Sequence, residues 1–63
     1  MAGVAPHQYL LQQRIERAKQ LLTTSTLEIA EIALQCGFSS QSHLGKHFRA
    51  VTGVTPNSYR RSH

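Results

Sequence analysis

Leu11, Ile15, Ala18 and Leu22 follow one another at steps of four, three and four, with Leu10 and Leu21 on their flanks. That is the period of a helix with one apolar stripe. Gln8, Gln12, Gln13, Glu16, Arg17 and Gln20 fill the wet side. Pro6 suits the first helical position, because the amide it lacks would be unpaired there anyway. The run Thr23-Thr24-Ser25-Thr26 ends the stripe, since hydroxyl side chains compete for backbone hydrogen bonds and favour caps and turns. A long helix is predicted from Pro6 to Thr23.

A second helix follows. Ser25-Thr26-Leu27-Glu28 has the spacing of a capping box, with Thr26 as the other candidate cap. Leu27, Ile29, Ala30, Ile32, Ala33 and Leu34 make it short and mostly apolar, and Gly37 supplies the left-handed residue that commonly ends a helix. After a turn at Phe38, Ser39 or Ser40 caps a third helix with apolar positions Leu44, Phe48 and Val51, again at steps of four and three. Gly53 stops it. Thr55 then caps a last short helix that starts at Pro56 and is anchored by Tyr59. The β-branched cluster between Val51 and Thr55 is broken by Gly53 and Pro56, so no strand competes. The pattern is all-α, with four helices.

Composition narrows what such a chain can do. At 63 residues and 7.0 kDa it makes one small domain, burying roughly 60% of its unfolded surface. One cysteine, Cys36, excludes an internal disulfide, and no Cys/His spacing suggests structural zinc. No apolar run approaches a membrane span, and there is no signal-peptide layout, so a cytoplasmic location is expected. The net charge of +4 is unevenly placed. Residues 1–31 balance Arg14, Arg17 and Lys19 against Glu16, Glu28 and Glu31, whereas residues 32–63 hold Lys46, Arg49, Arg60 and Arg61 and no acid. A one-sign half points to a polyanionic partner, nucleic acid before an acidic membrane surface; the plain alternative is a solvated basic face.

A short repeat adds to this. Gly3-Val4-Ala5-Pro6-His7-Gln8-Tyr9 recurs 50 residues later as Gly53-Val54-Thr55-Pro56-Asn57-Ser58-Tyr59. The second copy follows a helix pair and the first follows almost nothing, which leads to the expectation of a sister helix pair ahead of this chain.

That helix pair, joined at Gly37 with the second helix capped by serine, has the layout of a helix-turn-helix. With Leu44, Phe48 and Val51 turned toward Ile29, Ile32 and Ala33, the other side presents Gln41, Ser42, Lys46 and Arg49. Glutamine matches an adenine edge, lysine the guanine acceptors, and serine either base or phosphate.

Here the chain resembles a known family. Arg14-Ile15, Ala18 and Leu21-Leu22, then Ile29-Ala30-Glu31-Ile32-Ala33 with Gly37-Phe38, then Phe48, and finally Gly53, Thr55-Pro56 and Tyr59-Arg60 look like the C-terminal signature of AraC/XylS-type transcriptional regulators. The likeness runs from about Gly3 to Arg60. It implies a bacterial DNA-binding domain in which two helix-turn-helix units are joined by a long linker helix. Residues 1–24 would be tail and linker helix. Residues 25–63 would be the second unit, a homeodomain-like three-helix arrangement closed by a short C-terminal helix. The recognition helix would cover about residues 40–52 and enter the major groove. By the same likeness Gln41, Ser42 and Lys46 face bases, and Ser39, Ser40, His43, His47, Arg49 and Arg60 lie nearer the DNA backbone. The family often carries Tyr-Phe-Ser-Arg where this chain has His43-Leu44-Gly45-Lys46. Leu44 keeps the apolar role, Gly45 weakens the helix, and Lys46 lacks the planar fork of arginine.

Other readings are weaker. His43 and His47 stand at i, i+4 but lack a third ligand, so no metal or cofactor is expected. Cys36 reads as a small core hydrophobe, and no acid in the second half orients a histidine for hydrolysis, so an enzyme is not expected. The runner-up is a helical interaction or dimerisation module, using an apolar patch on Leu10, Leu11 or Leu21 of the helix over residues 6–23.

Overall fold

The computed structural model describes residues 6–62, with side chains from Gln8 onward. Four helices follow in order: α1 (Pro6–Thr24), α2 (Ile29–Gln35), α3 (Gln41–Thr52) and α4 (Pro56–Ser62). The first copy of the Gly-Val-x-Pro repeat begins at Gly3, outside the described residues.

The predicted stripe of α1 is the floor of the core: Ile15 and Ala18 are fully buried and Leu22 nearly so. Ile32, Ala33 and Cys36 of the α2 region, Phe38 of the turn, and Leu44 and Phe48 of α3 close over it. Tyr59 of α4 sets its ring edge-on to Phe48, centroids 5.4 Å apart. The boundary expected between residues 24 and 25 therefore falls inside one continuous core. Leu11 and Leu21, expected in an exposed patch, are half-buried against that core, which leaves Leu10 and Tyr9 as the exposed large apolar side chains of α1.

A helix leaves its last carbonyls without partners, and α1 satisfies them with side chains. Thr24 Oγ1 donates to the Gln20 carbonyl at 2.6 Å, and Ser25 Oγ donates to that of Leu21 at 2.7 Å. The Leu22 carbonyl accepts from Arg60 Nε at 3.0 Å, and a second Arg60 nitrogen reaches the Ser25 carbonyl at 3.2 Å. Arg60 thus ties α4 to the end of α1. Beside its expected place near the DNA backbone, Arg60 therefore has a structural role, its guanidinium held by the carbonyls at the end of α1. Arg60→Ala is expected to destabilise the domain by about 1.5–3 kcal/mol, the worth of charge-assisted bonds to partly buried carbonyls. Chemical denaturation checks this.

The capping box is also corrected. Ser25 Oγ is engaged by the end of α1 and accepts only from the Leu27 amide. Residues 25–28 run on as a connection, and α2 begins one turn later behind Glu28, which is extended and makes no side-chain cap.

The turn between α2 and α3 fixes the angle of the helix pair. The Phe38 amide donates to the Ala33 carbonyl and the Gly37 amide to that of Leu34, at 2.9 and 3.2 Å. This is the two-bond Schellman closure, with Gly37 at φ +95°. A Cβ there would stand 2.9 Å from Nε of the flexible Arg14 side chain, so it is the left-handed backbone that calls for glycine. Ser40 then caps α3, its Oγ accepting from the His43 amide at 3.1 Å. One turn beyond Phe48, Val51 is 46% exposed. It was expected in the core but lies at a helix end that the other helices do not cover on that side.

Cys36 is buried, and desolvation raises its thiol pKa above the usual value despite the opposing charge of Arg17. It stays a thiol at neutral pH. Thiol-reactive reagents should label it only as fast as the domain opens, which a comparison of native and denatured labelling rates measures.

Candidate nucleic-acid interface

α3 is an amphipathic rod held by one face. With Leu44 and Phe48 fully buried, the side chains a half-turn away point outward. Gln41, Ser42, Gly45, Lys46 and Arg49 form the floor of an open groove of about 590 Å³. Ile29 at the start of α2 makes one wall, and Thr55, Pro56 and Asn57 at the start of α4 make the other.

The polar groups of this groove are uncommitted. The side chains of Gln41, Ser42, Lys46, Arg49 and Asn57 enter no hydrogen bond or ion pair among the described residues. The one ion pair among those residues, Lys19 with Glu16 at 3.1 Å, lies on α1. The groove therefore joins a flexible amide and hydroxyl, suited to paired donors and acceptors, to two unscreened cations. No carboxylate lines it to repel an anion.

The other predicted contact residues sit differently. Ser39 and Ser40 form the turn: the Ser39 amide donates to His43 Nδ1 at 3.2 Å, which fixes that nitrogen as an acceptor. His43 meets Phe38 edge-on at 5.4 Å, His47 stacks on it at 6.0 Å, and the two imidazoles lie 4.8 Å apart. This ring cluster flanks the turn side of α3, away from the groove lining. No group of three or more metal-ligating side chains occurs among the described residues.

Asn57, Thr55 and Ile29 were not predicted as part of the site. Their signal was present only in part: the Thr55-Pro56 helix entry was legible, and the Ser58 amide indeed donates to Thr55 Oγ1 at 3.1 Å. The direction in which that entry faces depends on how α4 packs.

Comparison with known proteins decides the family. A family model described as a helix-turn-helix domain matches residues 1–62. The solved structure of a transcriptional regulator of the AraC type from Chromobacterium violaceum superposes with a TM-score of 0.92 at 38% identity, over 95% of this chain and 54% of that one. The chain belongs to the AraC-type helix-turn-helix family. The DNA-binding domain of AdpA, solved in complex with a target DNA, aligns at 43% identity and a TM-score of 0.92, over 97% of this chain and 55% of that one. The transcriptional regulator ArgR of Pseudomonas aeruginosa is 44% identical over 55 residues, which are 87% of this chain and 17% of ArgR. This AraC-type chain thus spans about half of the solved DNA-binding domains it matches and about a fifth of the curated relatives.

Proposed function

We propose that this AraC-type domain binds duplex DNA by placing α3 in a major groove. The observation that carries this reading is the groove itself: an uncommitted amide, hydroxyl and two cations on the outer face of a helix whose inner face is locked into the core. Gln41, Ser42 and Lys46 address base edges. Arg49, one turn further along, reaches phosphate, and Asn57 on the facing wall offers a neutral donor to the same strand. Ser39 and Ser40 lie at the turn, with His43 in the first turn of α3 and His47 one turn further on against Phe38, the side where a flanking phosphate would pass.

The groove lining offers hydrogen-bonding and cationic groups and no carboxylate, which supports a surface for reading a polyanion. Residues 25–63 carry the reading surface, and within residues 1–24 the linker helix α1 (Pro6–Thr24) braces it. Control of transcription is the role this reading supports, as in the named relatives.

The test is a titration of fluorescent duplex with the chain at low and at physiological salt. Affinity should fall steeply, log affinity against log salt losing about 0.9 per phosphate neutralised. Binding that ignores salt, or none at low salt, overturns the proposal.

A further inference from the structure

Three glycines of the described chain pose the same question and receive different answers. Gly37 and Gly53 have positive φ, at +95° and +85°, and end helices. Gly45 lies inside α3, has no positive φ, and a Cβ built on it meets nothing within 4 Å. Neither backbone conformation nor packing within the domain calls for glycine there, although glycine weakens a helix interior. The remaining physical use of glycine is close approach by another molecule.

Position adds the second half of the argument. Gln41, Gly45 and Arg49 are spaced by four, so they stack on one stripe of α3, and all three line the groove. The stripe therefore runs long side chain, none, long side chain. It forms a notch one helical turn wide, bounded by a hydrogen-bonding amide and a cation.

Resting on the DNA-binding reading above, we infer that Gly45 is a specificity-determining position. The notch lets the α3 backbone approach the floor of the major groove and receives a projecting base-edge group between Gln41 and Arg49. The thymine C5 methyl is the group that projects there without needing a hydrogen bond. Selectivity at this position is steric: a side chain at residue 45 lifts the helix from the base pairs and lengthens the Gln41 and Lys46 contacts together.

The experiment uses a duplex selected from a random library by the wild-type chain, and a scrambled duplex of the same composition, each titrated with wild type, Gly45→Ala and Gly45→Leu. Melting is followed in parallel. Gly45→Ala should melt at the same temperature or up to about 4–8 °C higher. It should nevertheless lose about 10-fold or more in affinity for the selected duplex, and Gly45→Leu more still. Scrambled-duplex binding should change little. A Gly45→Ala chain that binds the selected duplex as tightly as wild type overturns the inference and leaves DNA binding standing. Failure of the wild type to bind either duplex overturns the DNA reading first, and the notch with it.

Discussion

Phe48→Ala removes about a third or more of the domain's stability and shifts its unfolding to much lower temperature. Phe48 is fully buried, is the largest of the fully buried side chains, and is the residue on which α4 rests through Tyr59. Truncating such a phenylalanine costs about 3–5 kcal/mol, because the transfer energy is lost and the cavity collapses only in part. At about 0.05–0.15 kcal/mol per residue, a chain of this size holds roughly 3–9 kcal/mol in total. The loss is thus comparable to the lower end of the whole stability. Circular dichroism should show a broad, early thermal transition. A cooperative transition within a few degrees of wild type would mean that the core is not organised around this ring.

The second large effect concerns binding rather than folding. Gln41 and Lys46 are exposed and line the groove, and their side chains have no partner among the described residues. Replacing both by alanine should therefore change stability by no more than about 0.5 kcal/mol. If each reads a base edge, each is worth about 1–3 kcal/mol of discrimination. The double variant should then lose at least about 30-fold in affinity for a wild-type-selected duplex. The loss on a scrambled duplex should be smaller, since only the lysine charge is missing there. Equal losses on both duplexes would leave these side chains as general electrostatic contacts and move base reading elsewhere.

Much of this arrangement was legible along the chain, for identifiable reasons. Ile15, Ala18 and Leu22, and likewise Leu44 and Phe48, fall at helical spacing, and burial alone decides which face turns inward. Gly37, Ser40 and Thr55 act locally, so their roles as closure and caps follow from residue type. The misplacements share a different cause. Ser25 was expected to start α2 and instead finishes α1: its hydroxyl donates to the Leu21 carbonyl, and the chain stays non-helical until it passes the extended Glu28. The structural role of Arg60 could not be read along the chain, since its partners Leu22 and Ser25 lie 38 and 35 residues away. Val51 follows the period, but its burial depends on whether another helix covers the end of α3. The base-facing residues were named from the outward face of α3 and from family likeness. The groove walls at Ile29 and Asn57 required the packing of α2 and α4.

The central claim is that α3 meets DNA with its groove-lining face. Amide and side-chain NMR shifts followed during titration with a duplex test it residue by residue. The account predicts the largest changes at Gln41, Ser42, Gly45, Lys46, Arg49 and Asn57, with Tyr9, Leu10 and the core side chains nearly still. Changes centred on the outer face of α1, with α3 unmoved, would contradict it.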